Sequence, residues 1–325
     1  MKVRARTPSR LHLGIIDLNG DLGRLFGGLG VALRHPSILL EVKPSENLEV
    51  IGPRSREVRL QAERFFRHFG LPGKAQIILE EDIPRHVGLG SGTQLSLAVA
   101  VSLAKLSGLK ADVLKLAKIM GRGSFSGVGT GVFKHGGFVL EGGQSASRRG
   151  EGVDHRTSMP PIILHHPFPA RWRFVVATPN VRRGFTDEEE KEAFRSLEPA
   201  PPERVGRICR LLVMAMLPSL VERDIRGFGT ALTEIQEIVG DCFAGVQGGR
   251  FRTPVVGECI SHMLSNGAYG AGQSSWGPTV YGLVNGDGEA EDLRRKVEAF
   301  LDRRGGGKVF FTGADNSGAR VEISQ

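Results

Sequence analysis

Between residues 84 and 93 the chain reads Pro84-Arg85-His86-Val87-Gly88-Leu89-Gly90-Ser91-Gly92-Thr93, and an apolar run from Leu95 to Leu106 follows, with Lys105 its one charge. Glycine at alternate positions lets successive backbone N–H groups converge with no Cβ in the way. The run behind them is too apolar to face water and predicts a buried helix ending at Ser107-Gly108. Such a loop gathers unsatisfied N–H donors at the positive end of a helix dipole, which suits a phosphate. The plain alternative is a glycine turn with an ordinary Ser/Thr cap. Two commoner phosphate loops do not fit. Both Gly-Lys pairs, Gly73-Lys74 and Gly307-Lys308, continue with the wrong residue for a Walker A loop, and a strict G-x-G-x-x-G is absent.

Glycine makes up 45 of the 325 residues, about twice the usual ~7%. The glycines show no fixed period, which excludes collagen and low-complexity chains. Hydrophobic residues at 40% and charged ones at 24% are those of a globular protein, and the length suggests two domains. Cys209, Cys242 and Cys259 have no paired spacing, which argues against disulfides and a zinc site. No apolar signal segment opens the chain, and the uncharged stretch Val87 to Ala104 falls short of a bilayer span. A cytoplasmic protein with no membrane or nucleic-acid partner is expected. The net charge of +8 is spread along the chain without a basic-aromatic stacking surface. An RNA-binding protein is the minor alternative; small phosphorylated substrates suit the same charge.

Alternation of Leu11, Leu13 and Ile15, and the run Ile38 to Val42, predict strands. A helix is expected from Arg56 to Phe69, a strand from Ala75 to Leu79, a helix from Val113 to Met120 and a strand from Gly137 to Leu140. The polar, proline-bounded stretch from Gln144 to Pro161 sets a domain boundary between residues 155 and 156, giving domains 1–155 and 156–325. Beyond it come a strand from Trp172 to Ala177, a capping box of Thr186 with Glu189, and helices over Glu203 to Leu217 and Ile225 to Val239. Strand Thr279 to Val284, helix Ala290 to Arg303 and strand Lys308 to Thr312 predict a β-α-β unit. Strands and helices mix without strict alternation, so each half is α+β.

The glycine loop resembles the phosphate loop of the galactokinase, homoserine kinase, mevalonate kinase and phosphomevalonate kinase (GHMP) superfamily. Three further segments narrow the resemblance: Thr7-Pro8-Ser9-Arg10-Leu11-His12-Leu13 with Ile16-Asp17-Leu18-Asn19-Gly20; Gly121-Arg122-Gly123-Ser124 leading to Gly136-Gly137-Phe138; and Gly270-Ala271-Gly272-Gln273-Ser274-Ser275-Trp276-Gly277-Pro278-Thr279-Val280-Tyr281. Together they are similar to the β-ribofuranosylaminobenzene 5′-phosphate synthase family, over about Thr7 to Val284. The resemblance implies a ribosomal-protein-like α+β domain followed by a ferredoxin-like α+β domain. It implies decarboxylating phosphoribosyl transfer from phosphoribosyl pyrophosphate to an aromatic acid, 4-aminobenzoate or 4-hydroxybenzoate, in methanopterin biosynthesis. Mg²⁺ and a homodimer go with it. An ATP-dependent small-molecule kinase of the same superfamily is the alternative. Arg122 to Phe138 holds no Asp or Glu, which disfavours a kinase with its carboxylate base there.

Within the matched motifs, Gly88, Gly90, Ser91, Gly92, Thr93, Arg122, Ser274 and Ser275 are the phosphate-binding candidates, and Arg10, His12 and Asp17 the catalytic ones. Asp17 and Ser91 are candidate Mg²⁺ ligands. Each has an ordinary counterpart: structural arginines, a core or surface histidine, a turn aspartate before Leu18-Asn19-Gly20, and a tight turn at Ser275. Glu80, Glu81 and Asp82 are expected to be a solvated strand end. Ile83-Pro84-Arg85 stands where ordinary phosphoribosyltransferases carry a Thr-Gly turn.

Overall fold

A computed structural model of the chain describes residues 1–123, 125–145, 159–181, 185 and 187–324. The first half contains β1 (Lys2–Asp17), β2 (Arg24–Pro44), β3 (Glu49–Ile51), α1 (Ser55–Phe69), β4 (Ala75–Glu81), α2 (Ser91–Leu106), α3 (Val113–Ile119), α4 (Val128–His135), β5 (Phe138–Glu141), β6 (Gln144–Ser145) and β7 (Ile162–His166). The second contains β8 (Trp172–Pro179), α5 (Asp187–Ser196), α6 (Pro202–Leu211), a π-helical turn at Leu212–Met216, α7 (Leu217–Glu222) and α8 (Ile225–Gln247). It ends with α9 (Pro254–Ser265), β9 (Gly270–Gln273), β10 (Val280–Asn285), α10 (Asp287–Asp302), β11 (Gly307–Gly313) and β12 (Arg320–Ser324).

The described strands form two sheets. The first runs β12-β1-β2-β4-β3, with β5 and β6 on the other reach of β2 and β7 beyond β5. The second runs β11-β8-β10-β9 and is antiparallel throughout. Counted within its half, that order is 4-1-3-2 with helices in both crossovers, which is the ferredoxin-like arrangement. The β-α-β unit expected near the end is a split one, because β8 lies between β10 and β11. β12 returns to pair with β1. The boundary expected between 155 and 156, and Thr186 of the capping box, lie outside the described residues.

Tertiary packing explains what periodicity did not. α4 is glycine-rich and a poor helix by propensity, yet Val128 and Val132 bury against Ala32 and Val139. In α8, Phe228, Ala231, Leu232, Ile235, Val239 and Phe243 form one buried stripe. Gly229 lets that helix reach the backbone of Tyr269, which a Cβ would strike. The helix expected over 203–217 runs without a gap from α6 through the π-turn into α7.

Tyr281 in β10 is fully buried, and its hydroxyl has no hydrogen-bond partner among the described residues. Tyr281→Phe removes an unpaired buried hydroxyl and should raise the unfolding free energy by about 1 kcal/mol. A denaturant midpoint that falls would show that the hydroxyl is satisfied in solution.

Candidate active site

The segments singled out in the sequence meet at one place. Gly90, the residue before α2, has φ 79°, and a Cβ there would lie 2.9 Å from the Arg10 Cγ. Gly88, at φ 91°, sits so close that a Cβ would strike the Ser274 carbonyl. Both glycines are therefore required by packing as well as by backbone conformation.

One hydroxyl joins the parts. His12 N–H donates to Ser274 Oγ at 2.9 Å, and Ser274 Oγ donates to the Gly88 carbonyl at 2.7 Å. Arg10 Nη1 donates to the same carbonyl at 2.6 Å, and Arg10 N–H to the Leu89 carbonyl at 3.1 Å. Thr279 N–H reaches the Val87 carbonyl at 3.2 Å. Ser274 is fully buried, lines neither of the spaces described next, and holds the loop in place.

Outside the loop lies an open cleft of about 830 Å³. Gly88, Gly90, Ser91, Gly92, Thr93, Arg122 and Ser275 line it, joined by His86, Arg54, Arg56 and Arg85. Its field is positive. Burial favours the neutral form of Glu57, yet hydrogen bonding and charge from Arg54, with the charges of Arg85 and Arg122, hold that carboxyl below its usual range. Behind the loop is a partly enclosed cavity of about 90 Å³. Phe125, Phe194, Phe243 and Trp276 wall it. Phe125 stacks on Phe194 at 4.7 Å, and Trp276 meets Phe243 edge-on at 4.8 Å. Arg10, Glu190, Ser275 and Trp276 line both spaces, so these share a rim. Trp276 Nε1 donates to Glu190 Oε1 at 2.9 Å.

Burial sorts the charges here. It lowers Arg10 to about 10, against the opposing pull of Glu190, so the guanidinium stays a cation near neutral pH. Burial, then the Arg10 charge, lowers His12 to about 3, so its imidazole is neutral near pH 7. Nε2 of His12 lies 3.2 Å from Ser126 Oγ. Asp17 is apart from both spaces: its Oδ1 accepts from Asn19 N–H at 2.7 Å and Gly20 N–H at 2.9 Å in a turn. The partners of Arg10, His12 and Asp17 on β2 are Ala32, Gly30 and Phe26, and Phe26, at φ 74°, meets Phe125 and Phe194 edge-on. Among the described residues no group of three His, Cys, Asp or Glu could hold a metal. The cleft does offer hard oxygen donors, Ser91 with Glu188 and Glu190.

Sequence reasoning missed the aromatic wall, Glu190 and the buried Glu141. The wall assembles from separate segments, and only Trp276 lay inside a recognised motif.

Residues 58–137 match the model for the GHMP kinases N terminal domain, and residues 216–303 that for GHMP kinases C terminal. A protein named beta-ribofuranosylphenol 5′-phosphate synthase from Archaeoglobus fulgidus is 38% identical over 99% of this chain and 100% of its own. One of the same name from Methanothermobacter thermautotrophicus is 35% identical over 96% of each. The chain belongs to the β-ribofuranosylphenol 5′-phosphate synthase family. It is an enzyme of that kind on a kinase scaffold: homoserine kinase from Cytophaga hutchinsonii has the same fold, at TM-score 0.69 and 17% identity over 99% of this chain and 97% of that one.

Ser274→Ala would leave the His12 N–H and the Gly88 carbonyl without their partner in a buried place. Such a loss should cost about 1–3 kcal/mol of stability. Unchanged denaturant unfolding would show that the Ser274 bridge is not formed.

Proposed function

We propose that the protein transfers phosphoribosyl from 5-phosphoribosyl 1-pyrophosphate to the ring carbon of a para-substituted benzoate, releasing CO₂ and pyrophosphate and leaving a C-riboside 5′-phosphate. The observation that carries this is the shared rim. An arginine-lined cleft at a helix N-terminus suits the diphosphate, and an aromatic-walled cavity opening onto it suits the ring. Relatives matched end to end, named for a phenol product, favour 4-hydroxybenzoate over 4-aminobenzoate as the acceptor.

The N-terminal turn of α2, with Arg10 and Arg122, binds the leaving diphosphate and steadies the charge it gains. The apolar wall keeps water from a ribosyl group that turns cationic as the bond breaks. Arg10, at the rim, orients the acid against that carbon. Neutral His12 lies at the cavity wall beside the Ser126 hydroxyl, where the ring substituent would sit. Asp17, in the turn at the end of β1 and outside both spaces, is assigned the negative charge that favours the cationic sugar. Mg²⁺, a small hard ion held by few protein oxygens plus phosphate, fits Ser91 and the cleft carboxylates and would neutralise the diphosphate.

A cytoplasmic location is part of the same proposal. In its support, the cysteines are unpaired, and no helix among the described residues is long and apolar enough to cross a membrane. So is a homodimer, which would cover the exposed Val213, Met214 and Val221.

Carboxyl-labelled 4-hydroxybenzoate with phosphoribosyl pyrophosphate and Mg²⁺ should release labelled CO₂ one-for-one with pyrophosphate. No release, with phosphate transfer from ATP to a hydroxylated metabolite instead, would replace the proposal with a kinase. Asp17→Asn keeps an oxygen for both turn N–H groups while removing charge. It should lower kcat by about 10²-fold with little change in stability. A near-wild-type kcat would leave Asp17 a turn residue.

A further inference from the structure

Behind the cavity wall at His12 and Ser126 lies a carboxylate with no exposure at all, Glu141 at the end of β5. Its Oε2 accepts from Gly143 N–H at 2.7 Å. Its Oε1 is buried with no hydrogen-bond partner among the described residues. That oxygen converges with His12 over Gly28: a Cβ on Gly28 would lie 2.8 Å from Glu141 Oε1 and 3.3 Å from His12 Nε2. Ser126 stands between them and the cavity. Ser126 lines the cavity; its hydroxyl lies 3.2 Å from His12 Nε2, accepts from Val128 N–H at 3.2 Å, and is near enough to Glu141 to pull that carboxyl down.

The groups facing Glu141 are His12 from β1, Arg24 from β2 and the Ser126 hydroxyl. Burial raises the Glu141 carboxyl more than its hydrogen bonds and the Arg24 charge lower it. The same burial pushes His12 down to about 3. An imidazole ordinarily outranks a carboxylate as a base; here the order is inverted, and a proton arriving at Ser126 settles on Glu141.

We infer that Glu141, acting through the Ser126 hydroxyl, is the proton store for the ring hydroxyl of the aromatic acid; this rests on the phosphoribosyl transfer proposed above. The substrate O–H bond breaks, its proton passes to Ser126 Oγ, and the Ser126 proton passes to Glu141. The electron pair left on oxygen pushes through the ring, the carbon bearing the carboxylate bonds to the anomeric carbon, and the sugar–diphosphate pair leaves with pyrophosphate. Loss of CO₂ returns its bonding pair to the ring, and Glu141 gives the proton back through Ser126 to the phenolate. Glu141 touches no substrate atom and is a positioning residue.

A ring amine pushes with its own lone pair and needs no proton removed beforehand. Glu141→Gln should therefore lower kcat for 4-hydroxybenzoate about 10²-fold more than for 4-aminobenzoate, with KM little changed. In wild type kcat for 4-hydroxybenzoate should fall as pH drops through the raised Glu141 titration, because a protonated carboxyl accepts no proton, and Glu141→Gln should remove that acidic limb. Ser126→Ala asks the same from the cavity side if Glu141→Gln folds poorly. Equal losses on both acids, or an acidic limb that survives both substitutions, would overturn the relay. Absence of CO₂ release by wild type with either acid would overturn the transfer reaction instead.

Discussion

The Ser274 hydroxyl is the bond on which the geometry of the site depends. It accepts from β1 and donates to the glycine loop, joining segments 262 and 186 residues away in the chain. Being fully buried, it has no water with which to exchange either partner. Its demand on Gly88 also orients the loop. The Gly88 carbonyl turns inward to Ser274 and Arg10, so the Leu89 N–H of the same planar peptide points the opposite way. A donor row for an anion thus follows from where an inward acceptor is held.

Burial then decides what each titratable group can be. An arginine lowered to about 10 is still a cation near neutral pH, whereas a histidine lowered to about 3 is not. The positive charge at the rim therefore belongs to Arg10, and His12 is limited to hydrogen bonding. A carboxylate under the same burial moves the other way and gains basicity.

How much was legible follows from how local each cause is. The buried α2 and its glycine loop could be read because alternate glycines and an apolar run are adjacent in the chain. The two-domain α+β architecture could be read from element order and from resemblance. α4 could not, because Gly129 and Gly131 argue against a helix that tertiary packing sustains, through Val128 and Val132 against Ala32 and Val139 and through Phe133 against Leu97 and Ala117. Nor could the aromatic wall, since nothing in the spacing of Phe125, Phe194 and Phe243 shows that they converge. Glu141 lies three residues beyond the acid-free window that ends at Phe138, and its nearness to His12 exists only because Gly28 on another strand has no side chain.

The phase of β1 shows how one irregularity serves the whole site. Strict alternation from Arg10 and His12 would carry Gly14 and Ile16 to the cavity face and turn Asp17 away. The register shift between His12 and Gly14 inserts one residue, so Gly14 and Ile15 both line the cavity. A bulge frees backbone groups from the ladder, and here the Leu13 carbonyl accepts from Gln236 Nε2 at 2.7 Å. Gln236 Oε1 accepts in turn from Gln273 N–H at 2.9 Å, the residue before Ser274. A Cβ on Gly14, at φ 145°, would press on Ile235 of the same helix, at 3.1 Å. α8 therefore fixes where β1 changes phase, and ties that point to the strand end from which Ser274 clamps the loop.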